Sequence, residues 1–70
     1  MVVLGVDVTK EELLEIAKKA NVEATDTPAS NAIRIPDSAS KSIGFAAVSN
    51  TMGYDLSWGQ YGQLLVKRRE

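Results

Sequence analysis

The sequence predicts an α+β domain: a single antiparallel sheet of four to five strands with one helix packed across it, in the order β-α-β-β-β-β. Three observations carry that expectation. Val2, Leu4, Val6 and Val8 alternate with Val3, Gly5 and Asp7, the period of a strand. Leu13, Ile16, Ala17 and Ala20 then recur at helical spacing. Beyond Ala32, short apolar runs are divided by proline and glycine turns. Seventy residues allow one domain, spanning positions 1–70.

The first strand covers Val2 to Val8, and the face carrying Val2, Leu4, Val6 and Val8 is expected to be the buried one. Thr9-Lys10-Glu11-Glu12 spells a capping box. The Thr9 hydroxyl can accept from the N–H of Glu12, and the Glu12 carboxylate can reach back to the N–H of Thr9. Val8 and Leu13 sit where a hydrophobic staple would close the start of the helix. Glu11 and Glu12 in the first turn, and Lys18 and Lys19 in the last, complement the helix dipole, and Asn21 suits a left-handed stop.

Val22 to Asn31 reads as a surface loop in which Pro28 bars a helix. Ala32-Ile33-Arg34-Ile35 reads as a short strand with Ile33 and Ile35 inward, ended by Pro36, and Asp37 to Lys41 as a turn. Ser42 to Ser49 reads as a stronger strand, with Ile43, Phe45 and Ala47 on one face and Gly44, Ala46 and Val48 on the other. Asn50 to Gly53 has the length of a hairpin connection, with Gly53 where positive φ is expected. Tyr54 to Trp58 forms the next strand, Gly59 to Gly62 a turn, and Gln63 to Lys67 the last strand.

Composition removes several function classes. There is no cysteine and no histidine. Disulfides, thiolate zinc sites, iron–sulfur clusters and thiol catalysis go with the first, and the commonest general base with the second. Eight basic against nine acidic residues give a net charge of −1, which disfavours a non-specific nucleic-acid binder. No apolar run approaches the roughly 20 residues of a membrane span, and the start lacks the basic region of a signal peptide. A cytoplasmic protein without a membrane partner is the expectation. A core this small supplies only about 3–5 kcal/mol, so a homodimer or larger homo-oligomer is expected as well. The strands Val2–Val8 and Gln63–Lys67 are the candidate edges for pairing.

The remaining motifs are weak. Gly59-Gln60-Tyr61-Gly62 matches the backbone-clamping G-x-x-G loop, but strand residues precede it and a plain turn is the better reading. Asp7, Asp26, Asp37 and Asp55 are scattered and lack cation-loop spacing. The serines have no histidine partner, and a Ser–Lys arrangement with Lys41 would fall in a stretch that reads as loop. No catalytic residue, metal ligand or cofactor site is expected. The aromatic residues all lie between positions 45 and 61. Phe45 suits the core, whereas Tyr54, Trp58 and Tyr61 are the candidate partner-binding residues, because tyrosine and tryptophan dominate binding hot spots. Trp58 is expected partly buried, with Tyr61 beside it at the rim. Lys67, Arg68 and Arg69 form the candidate nucleic-acid contact.

The segments Ala32-Ile33-Arg34-Ile35, Ile43-Gly44-Phe45 and Gly53-Tyr54-Asp55-Leu56 resemble a small uncharacterised family of cyanobacteria and plastids, known as a conserved open reading frame of unknown function. The likeness covers residues 8 to 61 and implies a similar "IGF" strand, turn and "YEL" strand leading to a tryptophan. The family has a C-terminal extension that this chain lacks, and it implies no mechanism. The functional expectation is therefore a small non-catalytic interaction module, an adaptor, regulator or inhibitor of the kind common in phage and mobile elements. It would bind a protein partner, as yet unknown, through an aromatic strand and turn. The alternatives are a nucleic-acid-binding domain using an aromatic sheet face with the basic tail, and an accessory subunit of an enzyme.

Overall fold

The computed structural model describes residues 1–69. It contains β1 (Val2–Val6), α1 (Lys10–Lys19), β2 (Thr25–Asp26), β3 (Ala32–Arg34), α2 (Ala39–Thr51), β4 (Tyr54–Trp58) and β5 (Leu64–Arg68). The protein is α+β, with one open sheet of five strands in the order β2-β3-β1-β5-β4 and both helices on one face.

The helix start is as the sequence predicts. The Glu12 N–H donates to Thr9 Oγ1 at 3.5 Å and the Thr9 N–H to Glu12 Oε2 at 3.1 Å. Leu13, Ile16 and Ala17 are buried, and Asn21 takes φ 59° just past the helix. Ile33 and Ile35 also point inward as expected.

The expectation for Ser42 to Ser49 is overturned: the segment lies within α2. Phe45 and Ser49 are fully buried, and Val48 and Met52 pack against the core beside them. These positions follow the i, i+3, i+4, i+7 spacing of one helix face. The polar Ser49 disguises that stripe. Its hydroxyl is satisfied without a distant partner, donating to the Phe45 carbonyl one turn back at 2.8 Å. Gly53 does take positive φ (96°), but it follows a helix end and not a hairpin.

The sheet is mixed, which corrects the antiparallel-only expectation. β1 pairs antiparallel with β3 and parallel with β5, while β2–β3 and β4–β5 are antiparallel. The added helix lets the chain cross over the sheet between β3 and β4, returning β5 beside β1 in the same direction. β1 and β5 are therefore interior strands, and neither offers the free edge expected of them. Part of the expected loop at 22–31 forms the two-residue edge strand β2.

The buried face of β1 is also the reverse of the expected one. Val3 is fully buried under the helices, whereas Val6 is 40% exposed on the uncovered face. Two backbone features explain this. Asp7 adopts φ 59°, which breaks the alternation and returns Val8 to the core side. Gly5 has the Val8 carbonyl pressed against the place where a Cβ would stand, so the chain folds back across it. The core is completed by Leu13, Ile16, Ile33, Phe45 and Val66, all fully buried. Each such burial contributes on the order of 1.5–3 kcal/mol.

Candidate interaction surface

The sheet ends in β2 on one side and β4 on the other. β2 has two residues and β4 five, so β4 is the long free edge among the described residues. Its outward-facing groups follow from its pairing with β5. The Gly59 N–H donates to the Gln63 carbonyl at 2.7 Å, and the Arg69 N–H to the Gly53 carbonyl at 2.9 Å. The intervening register is continuous, from Tyr54↔Arg68 to Trp58↔Leu64. Backbone bonding in an antiparallel ladder alternates residue by residue. Asp55 and Ser57 therefore turn their N–H and C=O groups to β5, and Tyr54, Leu56 and Trp58 turn theirs outward. The edge carries no lysine or proline, although Asp55 is charged. Arg69 reaches round to donate to the outward Tyr54 carbonyl at 3.1 Å, which leaves the Leu56 and Trp58 groups as the open part of the edge.

An apolar flank adjoins this edge. α2 doubles back into β4 through Met52 and Gly53, leaving a shallow groove of about 500 Å³ between them. Ile43, Ala46, Ala47 and Asn50 line its helix side, and Tyr54, Asp55 and Leu56 its strand side. Ile43 is 68% exposed and Trp58 66% exposed.

The expected site residues are dispersed along this region. Tyr54 begins β4 and packs half-buried against the core. Partial burial, with the Glu12 carboxylate nearby, raises its phenol above the ordinary value. Trp58 ends β4 and is exposed, against the expectation of partial burial; its cross-strand neighbour Leu64 fills the core position. Tyr61 lies in the β4–β5 turn at 85% exposure, bordering a separate hollow with Met1, Val2 and Asp37. The Gly59–Gly62 segment is a hairpin turn, closed by Gly62 N–H to Gly59 C=O at 3.1 Å, and Gly62 takes φ 79°. Ile43 is the surface residue that the sequence reading missed; Leu56 lies on the same strand face as Tyr54 and Trp58, half-buried against the core. The free edge depends on strand order, for which the chain carries no local signal. The signal available for Ile43 was the Phe45, Val48, Ser49, Met52 spacing, which places Ile43 on the opposite side of a helix.

Lys67, Arg68 and Arg69 border one hollow together with Asp7, but their side chains take different partners. Lys67 is exposed on the uncovered sheet face, where Val2, Leu4, Val6 and Leu65 also lie. Arg68 bonds Glu12 at 2.6 Å in the first turn of α1. Arg69 bonds Asp55 at 3.0 Å, Asn50 in α2 and the Tyr54 carbonyl at 3.1 Å. The aromatic side chains of β4 share the helix-bearing face with Leu64 and Val66, away from Lys67.

The scattered carboxylates are each engaged locally. The ammonium of Lys10 and the N–H of Thr27 hold Asp26 below the ordinary carboxylate value. The chain's N-terminal ammonium, at 2.9 Å, does the same for Asp37. Among the described residues no group of three or more His, Cys, Asp or Glu could hold a metal ion. Lys41 donates to the Asn21 carbonyl at 3.5 Å, while Ser38 and Ser40 bond each other at 2.9 Å. Among the described residues no helix is long and apolar enough to cross a membrane.

Comparison with protein-family models, curated proteins and solved structures finds no match to this chain. The likeness to the cyanobacterial and plastid family thus rests on its short motifs alone, and one of them, Ile43-Gly44-Phe45, is helical.

Proposed function

We propose that the protein is a small non-catalytic interaction module, an adaptor, regulator or inhibitor, that binds a protein partner along β4 and the adjoining face of α2. The observation that carries this reading is the coincidence of a free edge strand with exposed Trp58 and Ile43. Main-chain groups on such an edge supply affinity by strand addition, and flanking side chains supply selectivity. Association with protein partners, itself included, also offsets the limits of a small core. The cytoplasm is the compartment we assign, in keeping with a chain free of cysteine. An accessory subunit of an enzyme would use the same surface.

The test is affinity capture from the source cells with the wild-type chain and Trp58→Ala as bait, each with and without nuclease. Bound proteins should survive nuclease and be lost with Trp58→Ala. Alanine at Trp58 should cost at least about 2 kcal/mol of partner affinity. Folding stability should change by no more than about 0.5 kcal/mol, because the side chain is exposed. Capture that nuclease abolishes, or that Trp58→Ala leaves intact, would refute the reading.

A further inference from the structure

We infer that one occupant of this surface is a second copy of the chain, joined by antiparallel pairing of β4 with β4 about a two-fold axis through Leu56. This rests on the reading of β4 as a binding edge and specifies its partner. The strand Tyr54-Asp55-Leu56-Ser57-Trp58 is symmetric in chemical kind about its middle: aromatic, polar, leucine, polar, aromatic. A two-fold pairing of identical strands requires that self-complementarity, because each position meets its mirror position on the other copy.

In this register Leu56 faces Leu56 of the second copy, and Tyr54 faces its Trp58. These are the residues whose N–H and C=O groups point outward, so every outward group of the strand gains a partner. The Tyr54 carbonyl, which already accepts from Arg69, has a second lone pair for the Trp58 N–H of the second copy. Asp55 meets Ser57 of the second copy and not another Asp55, so the only charged residue of β4 avoids its like. The axis stands perpendicular to the sheet, which keeps both α2 helices on one face. Leu56, Trp58 and the two Ile43 side chains then lie between the facing helices and leave water together.

The register is tested at Ser57, which is exposed and lies opposite Asp55 of the second copy. Ser57→Asp sets like charges across the seam twice per dimer, and Ser57→Lys sets opposite ones. Sedimentation of the full chain across the micromolar to millimolar range should show a reversible dimer. Ser57→Asp should weaken it by at least about threefold, and Ser57→Lys should preserve or tighten it. Thermal melts of both variants in dilute solution should match the wild type. A wild-type chain that stays monomeric throughout overturns self-pairing, while Trp58-dependent capture of other proteins is judged separately. A dimer that Ser57→Asp and Ser57→Lys affect alike also overturns it, since the seam must then lie elsewhere.

Discussion

Helices α1 and α2 lie on the same face of the sheet, yet they are built to different rules. α1 opens with a side-chain cap, has acidic residues in its first turn and basic ones in its last, and turns Glu11, Glu15, Lys18 and Lys19 to solvent. α2 has no side-chain cap bond and no complementary charge at either end, and it turns Ile43 and Ala47 outward. The outer face of α1 is charged, whereas that of α2 mixes Ile43 and Ala47 with Ser40, Lys41, Asn50 and Thr51. The sheet repeats the contrast: the edge beside α1 is two residues of β2, and the edge beside α2 is the whole of β4.

The sharpest separation of inside from outside on α2 is between Phe45 and Ile43. Phe45→Ala removes a fully buried ring and should cost about 3–5 kcal/mol, enough to unfold most of the chain. Ile43→Ala should cost less than about 0.5 kcal/mol. Denaturant melts read both. Equal costs would mean that the two side chains share a buried face, as they would on a strand.

The cap contrast predicts a smaller effect. Thr9→Ala should destabilise by about 0.5–1 kcal/mol, because the Glu12 N–H loses its acceptor. Ser38→Ala, at the equivalent position of α2, should be close to neutral, since Ser38 bonds the Ser40 hydroxyl and not the backbone. A Ser38 effect matching that of Thr9 would erase the distinction between the helix starts.

Most of the α1 half was legible in the sequence, because its signals are local. The capping box, the leucine–isoleucine stripe and Asn21 lie within a dozen residues and act through contacts made there. The α2 half was not. Its buried stripe includes a serine, and small or apolar residues on several sides of the helix let alternation mimic a strand. The inverted face of β1 depends on one left-handed residue, Asp7, whose effect is felt at Val8. Of the candidate surface, Tyr54 to Trp58 was legible as a strand, but its place at the sheet edge is set by the α2 crossover.

The smallest expected effect concerns pH at the β2 edge. The folded-state pKa of Asp26 is depressed by Lys10 and Thr27, so its contribution to stability is present above the unfolded value of about 3.9 and is lost as pH falls through the folded value. Because the carboxylate is fully exposed, the acid limb of a pH–stability curve should differ only slightly between wild type and Asp26→Asn. A large difference would mean that the β2 edge is more enclosed than it is here.

Amide hydrogen exchange along β4, read residue by residue by NMR in a dilute, monomeric sample and again in an assembled one, tests the binding edge most directly. In the monomer the N–H groups of Asp55 and Ser57, bonded to β5, should exchange slowly, and those of Leu56 and Trp58 should exchange fast. On assembly Leu56 and Trp58 should become protected while Asp55 and Ser57 stay as they were. Leu56 and Trp58 amides already protected in the monomer, or still fast in the assembled state, would contradict the proposal that β4 is a binding edge.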